Sequence, residues 1–164
     1  MAVTSFRELL AYLETNGLLR HIRKSVQPAH ELMTVVRKVQ LGPNLALQFD
    51  AVSGTAMPVA SNVMSRREAI AASLGVEVPD VLHTLAMRQR TTGHLNQVDA
   101  APVQEIVMTG QAVDVARDIP QVVHSEPDGG AYLSAGIFIA RHPETGIYNA
   151  SWNRVQIVRD QHLR

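Results

Sequence analysis

The sequence predicts an α+β fold whose character changes along the chain, and three observations support this prediction. Residues 1–110 carry apolar positions at helical spacing between short strand-like runs. From about residue 111 the chain carries two long β-type runs joined by a turn. The composition, with 46% hydrophobic and 18% charged residues, is that of a folded chain. We therefore expect an N-terminal α+β domain over residues 1–110, and the beginning of an antiparallel sheet or barrel over residues 111–164.

Four helices are expected in the first region, and each has a recognisable start. Ser5 and Ser65 each stand three residues before a glutamate, which is the pattern of a capping box. Pro28 and Pro79 are suited to the first turn of a helix. Glycines after the first and third helices are typical of helix ends. The expected helices cover residues 5–17, 28–40, 65–75 and 79–90.

Six strands are expected, and the last two are the longest. The short runs of the first region are rich in apolar and β-branched residues, whereas residues 91–101 form a polar connector. The final two runs flank "RHPETGI", in which Pro143 and Gly146 suit a hairpin turn. The expected strands cover residues 18–26, 45–49, 57–63, 103–108, 131–140 and 148–158.

Composition excludes several classes of function. Lys and Arg together number 15, as do Asp and Glu, so no basic excess indicates a nucleic-acid partner. The absence of cysteine excludes disulfides and thiolate chemistry. No run approaches the roughly 18 apolar residues of a membrane span, and the N-terminus lacks the pattern of a signal peptide. We expect a cytoplasmic protein, in which the sequon at Asn149 is not glycosylated.

The polar loop "HSEPDGG", residues 124–130, precedes the first long strand. Its two glycines permit positive φ or close approach of another backbone segment. Its His, Ser, Glu and Asp side chains suit metal binding, charge pairing or simple capping of a loop. On composition alone, a plain polar loop is the favoured interpretation.

The stretch "NASWNR", residues 149–154, combines side chains that suit a cofactor or substrate. Amide oxygens are ligands for hard cations such as Mg²⁺ or Mn²⁺, and the arginine fork binds phosphate or carboxylate through two hydrogen bonds. The alternative, which spacing alone favours, is a solvent-facing polar face beside a core Trp152. Strand alternation separates the six residues into two faces: Asn149, Ser151 and Asn153 on one, and Ala150, Trp152 and Arg154 on the other.

Three segments in order resemble the UbiD family of decarboxylases. They are "FRELLAYLETNGLLRHI" (6–22), "LALQFDAVSGTAMPVASNVMSRREAIAASLGV" (45–76) and "PQVVHSEPDGGAYLSAGIFIARHPETGIYNASWNR" (120–154). The third is the most specific, because it is similar to the family's H-x-E-D-G-G, D/H-P-x-T-G and N-x-x-x-x-R elements. Pro127 interrupts the first of these by one residue, an insertion that the family tolerates.

The resemblance implies a reversible decarboxylase that removes CO₂ from aromatic or α,β-unsaturated carboxylic acids. Its cofactor would be prenylated FMN, supplied by a flavin prenyltransferase, with Mn²⁺ or another divalent metal at the phosphate and K⁺ nearby. The family's architecture would make residues 111–164 the first strands of a split β-barrel that binds the flavin. A homo-oligomer is also implied.

The resemblance also assigns roles to residues of this chain. Asn149 matches the metal ligand, and the backbone of Ala150 matches part of the K⁺ site. Arg154 matches the catalytic arginine that positions the substrate carboxylate. The implied cofactor-binding residues are Asn149, Ser151, Trp152, Asn153 and Arg154.

The family's remaining metal ligands and catalytic acids would lie beyond Arg164. We therefore expect the 164-residue chain to be inactive as a decarboxylase by itself. The alternative from another class is a non-catalytic module, which binds flavin or takes part in assembly.

Overall fold

A computed structural model describes residues 3–91, 97–159 and 162–164, so part of the connector expected over 91–101 lies outside the described residues. The α+β prediction is confirmed. The division at residue 110 stays a prediction. The elements in chain order are α1 (Phe6–Thr15), β1 (Leu19–Ile22), α2 (Glu31–Gln40), β2 (Ala46–Phe49), β3 (Val59–Ser61), α3 (Arg67–Leu74), α4 (Val81–Arg88), α5 (Val115–Asp118), β4 (Tyr132–Arg141), β5 (Tyr148–Arg159) and β6 (His162–Leu163).

The first sheet has the order β1-β2-β3, with β1 parallel and β3 antiparallel to the central strand β2. Because β2 is central, successive side chains enter different cores. Leu47 and Phe49 are fully buried in a cluster with Leu32 and Val36 of α2. Ala46 instead joins a second cluster that includes residues of α1 and α3. Helices therefore cover both faces of this sheet.

The first predicted capping box is confirmed in a modified form. The Oγ of Ser5 accepts a 3.2 Å hydrogen bond from the backbone N–H of Glu8. The Glu8 carboxylate accepts bonds from the backbone N–H and the hydroxyl of Thr4, at 2.8 and 2.9 Å. These bonds, chiefly the backbone one, lower the pKa of Glu8 below its ordinary value. The start of α1 is thus held by an ionised carboxylate and a hydroxyl.

The second predicted capping box is wrong. Helix α3 begins one position later than that pattern requires, with Arg66 at the N-cap and no side-chain cap. The Ser65 hydroxyl donates to the carbonyl oxygen of Asn44 at 3.1 Å, and Glu68 pairs with the Arg66 guanidinium at 3.4 Å. A tertiary contact between the turn before β2 and the start of α3 therefore replaces the local cap. The predicted end at Gly75 is confirmed, with φ of 71°.

The strand predicted over residues 103–108 is also wrong. Residues Pro102–Gln104 form a short 3₁₀ turn, and the segment up to Met108 pairs with no sheet strand in the described chain. Val103, Ile106 and Val107 are 84%, 79% and 72% exposed. A β-type composition does not form a strand unless another strand pairs with it.

The predicted hairpin is confirmed as an antiparallel pair of β4 and β5, extended by β6. The segment before β4 attaches it to the first region: Tyr132 N–H donates to the Val122 carbonyl at 3.2 Å, and Val122 packs in the cluster around Phe49. Towards its tip, the hairpin exposes apolar side chains, among them Ile137 and Ile139. Among the described strands β4 has one neighbour, so its other edge is unpaired.

Among the described residues, no single helix has the length and apolar character needed to cross a membrane. Helix α3 and the segment Val78–Arg88, which are bent by 78° relative to each other, pass that length and composition test only as a pair.

Replacing Phe49 tests the position of the core. Phe49 is fully buried in the larger cluster, so Phe49→Ala should lower the free energy of unfolding by about 3–5 kcal/mol. Leu82 is 75% exposed, and the control Leu82→Ala should change the free energy of unfolding by less than about 0.5 kcal/mol. Urea unfolding followed by circular dichroism measures both. Equal effects of the two variants would contradict the assigned core.

Replacing Glu8 tests the N-terminal cap through its pH dependence. A carboxylate with a lowered folded pKa stabilises the fold above its unfolded pKa, near the ordinary value of 4.5. That stabilisation is lost as the pH falls through the lower, folded pKa. Unfolding measured from neutral to acid pH should therefore show a smaller acid loss of stability in Glu8→Gln. In Glu105→Gln, which removes an exposed carboxylate, the acid loss should match that of the unmodified chain.

Candidate functional site

The predicted site residues lie along β5, and the register of the hairpin fixes their directions. Asn149 is opposite Ala140, and Asn153 is opposite Gly136. The register shift between Leu133 and Gly136 places one extra residue in β4, so the pleat of β5 is uninterrupted. Asn153 Nδ2 donates to Ser151 Oγ at 2.8 Å, which confirms that these two side chains share a face. The predicted alternation along "NASWNR" therefore holds.

Gly136 lies where the bulge brings the two strands close together. A Cβ atom at this position would lie 3.1 Å from the carbonyl oxygen of Asn153 and 3.6 Å from a methyl group of Val155. The first distance is shorter than a normal carbon–oxygen contact, so a side chain would push the strands apart. The glycine in this strand is thus required by packing at the bulge.

Arg154 projects towards β4, and its guanidinium carbon lies 4.9 Å from the centre of the Tyr132 ring. This distance is within the range of a cation–π contact. No described residue forms a hydrogen bond or an ion pair with this guanidinium. An arginine held in this way can still donate from its N–H groups to an anion.

Trp152 is 74% exposed, which contradicts the alternative interpretation that gave it a core position. Its partner across the strands is Ile137, which is 61% exposed. Both side chains lack apolar cover in the described chain. This part of the hairpin therefore presents an apolar surface beside the polar residues of β5.

The "HSEPDGG" loop is fixed between α2 and the hairpin. Gln156 Nε2 donates to the Gly129 carbonyl at 2.7 Å, which ties the loop to β5. At the other end, the His30 N–H donates to the Val123 carbonyl at 3.1 Å. The loop therefore acts as a structural connection, and no described group of three or more His, Asp or Glu side chains could hold a metal ion.

A cavity of about 440 Å³ lies between the first region and the start of β4. Its walls come mainly from apolar residues of α2, β3 and the 119–122 segment, such as Leu32 and Val59. Its few polar positions include His124 and Tyr132. An apolar cavity with few polar groups is the usual form of a small-molecule site. Arg154 does not itself line the cavity, but it contacts Tyr132, which does.

Asn149 and Arg154 are too far apart to bind the same small group. Five strand residues separate their Cα atoms by about 17 Å. Asn149 lies near the hairpin tip, and Arg154 lies near the cavity. They also lie on opposite faces of the uninterrupted strand, so a ligand that contacts both would have to pass around the strand edge.

Sequence reasoning missed Tyr132, which the structure places at the centre of this arrangement. The available signal was an aromatic residue two positions after a glycine pair, at the start of a strand. Its partner Arg154 was identified from sequence, but the contact between them depends on the register of the hairpin.

Comparison with protein families identifies two models that together cover most of the chain. Residues 10–89 match the N-terminal domain of 3-octaprenyl-4-hydroxybenzoate carboxy-lyase. Residues 96–164 match the Rift-related domain of the same carboxy-lyase. Anhydromevalonate phosphate decarboxylase from Methanosarcina mazei is 29% identical over 154 residues, which are 94% of this chain and 34% of that protein. The chain therefore spans about a third of that relative.

Solved structures show the same relationship. An evolved dimeric form of the UbiD-class enzyme HmfF from Pelotomaculum thermopropionicum, in complex with prFMN, superposes with a TM-score of 0.91 and 33% identity. The match covers 98% of this chain and 38% of that one. Vanillic acid decarboxylase from Sedimentibacter hydroxybenzoicus shares the fold, with a TM-score of 0.88 and 22% identity. That match covers 99% of this chain and 37% of the decarboxylase chain.

Replacing Gly136 tests the close approach at the bulge. Gly136→Ala should destabilise the hairpin by about 1–3 kcal/mol, because the added methyl group overpacks against the Asn153 carbonyl. Ser134→Ala, an exposed change two residues earlier, should have little effect. Hydrogen exchange of the β4 and β5 amides measures the local stability. Unchanged protection in Gly136→Ala would show that the strands are not held at this distance.

Proposed function

The chain belongs to the UbiD family of carboxy-lyases, and we propose that it is the N-terminal part of a reversible, prenylated-FMN-dependent decarboxylase. Its substrate would be an aromatic or α,β-unsaturated carboxylic acid. The observation that carries the proposal is the contact of the Arg154 guanidinium with Tyr132, which lines an apolar cavity. A carboxylate on an apolar body is the ligand that this pair of features would accept.

Arg154 would bind the substrate carboxylate, and the cavity would hold the apolar body. The planar guanidinium fork forms two parallel hydrogen bonds with a carboxylate and so fixes its direction. Such orientation lowers the entropic part of the barrier. Prenylated FMN, when bound, supplies the electron sink that decarboxylation requires.

Residues from both faces of β5 would contact the cofactor. The exposed ring of Trp152 offers an apolar surface to a flavin. The Ser151 hydroxyl and the Asn153 side-chain amide, which are hydrogen-bonded to each other, offer polar contacts. Asn149, near the hairpin tip, would contribute one amide oxygen to a divalent metal such as Mn²⁺ at the phosphate, and the backbone of Ala150 would contribute to a K⁺ site. No described group of three or more His, Asp or Glu side chains could hold the divalent ion, so its remaining ligands would come from elsewhere in a longer protein.

We propose that the 164-residue chain alone is inactive. Trp152 is 74% exposed and Arg154 is also exposed, whereas decarboxylation at an arginine-bound carboxylate benefits from a site that excludes water. Further strands of a split β-barrel would cover these residues. The longer protein would assemble as a homo-oligomer in the cytoplasm and would receive its cofactor from a flavin prenyltransferase.

A non-catalytic flavin-binding or assembly module is the alternative. The exposed apolar hairpin and the unpaired edge of β4 favour it, because such surfaces bind other chains. The two proposals differ in one respect: only the decarboxylase requires Arg154 for turnover.

Variants in a longer protein that carries this chain, produced with a flavin prenyltransferase, test the proposed roles. Arg154→Ala should lower decarboxylation of a panel of aromatic and unsaturated acids by about 100-fold or more, while flavin absorbance stays near normal. Asn149→Ala should lower the content of bound flavin and of Mn²⁺. The control Arg159→Ala, on the same strand, should change neither property.

Two results would contradict the proposed function. Full turnover in Arg154→Ala would exclude the role of this arginine. Stoichiometric flavin without turnover of any acid in the panel, in the unmodified longer protein, would favour the non-catalytic module.

A further inference from the structure

We infer that Tyr132 is a positioning residue, whose ring holds the Arg154 guanidinium beside the cavity so that its N–H groups are free for a carboxylate. This inference rests on the proposed function, because it names the group that prepares Arg154 for its substrate. It concerns binding of a carboxylate, which can be measured without turnover.

The contact geometry supports this role. The guanidinium carbon of Arg154 lies 4.9 Å from the ring centre of Tyr132, close enough for attraction by the ring face. No hydrogen bond to a described residue uses the N–H groups of this guanidinium, so they are available to a carboxylate. The ring therefore orients the arginine without using the donors that a carboxylate needs.

A second arginine–tyrosine pair in the same hairpin shows the contrast. Arg141 lies over the ring of Tyr148 at 5.9 Å, and its Nε donates to the Gly146 carbonyl at 3.3 Å. That arginine closes the hairpin turn, so its donors are partly used. Arg154 has no acceptor among the residues that the structure describes, and it lies beside the cavity instead of at the tip.

The backbone that carries the Tyr132 ring is itself held in place. Its backbone N–H donates to the Val122 carbonyl at 3.2 Å, and Val122 is part of the buried cluster around Phe49. Across the strands it is paired with Gln156, whose side chain is bonded to Gly129 at 2.7 Å. A ring carried by an anchored backbone gives a long, flexible arginine a preferred position before the ligand arrives.

Trp152 provides a reporter for this site. It is the only tryptophan of the chain, and it lies two residues before Arg154, on the same face of β5. It is also 74% exposed, so a ligand at Arg154 can change its environment. Benzoate is a suitable probe, because it joins a carboxylate to an apolar ring. Benzyl alcohol, which has a similar shape and no charge, is its control.

The experiment titrates benzoate and benzyl alcohol into the 164-residue chain, with Trp152 fluorescence and calorimetry as readouts. The unmodified chain should bind benzoate more tightly than benzyl alcohol. Tyr132→Leu should raise the Kd for benzoate by about two- to tenfold, the range that a lost cation–π contact allows. Tyr132→Phe keeps the ring and should stay within about twofold. Tyr148→Leu removes the other stacked ring and should behave like the unmodified chain.

Arg154→Gln should abolish the preference for benzoate over benzyl alcohol. The inference is overturned if Tyr132→Leu, shown to be folded by circular dichroism, binds benzoate as the unmodified chain does. It is also overturned if Tyr132→Phe is as weak as Tyr132→Leu, or if neither readout detects a benzoate preference in the unmodified chain. Ring-dependent benzoate binding combined with no turnover in the longer protein would reject the proposed function and support this inference.

Discussion

The pairing of β4 with β5, and the single extra residue in β4, is the constraint on which the candidate site depends. Because that residue is accommodated between Leu133 and Gly136, β5 keeps an unbroken pleat. The side chains of Ser151 and Asn153 then share one face, and Arg154 turns to the other, over Tyr132. An extra residue in β5 instead would reverse the faces of every side chain beyond it.

The base of the hairpin has a fixed position because it is anchored to the core of the first region. Val122 lies in the same cluster as Phe49 and Leu32, and it accepts the backbone bond that begins β4. The cavity forms where this junction leaves space between α2, β3 and the hairpin. The buried sheet thus fixes one wall of the site, while the far end of the hairpin, near Asn149, has no such support among the described residues. Because the hairpin is attached at Val122, it is anchored where the substrate would bind and exposed where the cofactor would bind.

The sequence predicted well those elements whose signals are local. The hairpin turn and the helix ends at Gly17 and Gly75 depend on backbone preferences of single residues, and they are found where expected. The prediction was wrong where distant groups compete. Ser65 bonds to Asn44 instead of capping its own helix, and residues 103–108 lack a neighbouring strand. Tyr132 was missed because its importance comes from a contact across the strands, which no spacing rule along one strand shows.

Our central proposal is that β5 would span a flavin site, from a metal at the phosphate to the substrate carboxylate. The most direct test is an anomalous-scattering map at the manganese edge, from crystals of a longer protein that carries this chain with prenylated FMN and Mn²⁺. The account predicts a manganese peak bonded to the Asn149 amide oxygen, with the flavin ring lying along Trp152 towards Arg154. A manganese peak elsewhere, with Asn149 facing solvent, would contradict it.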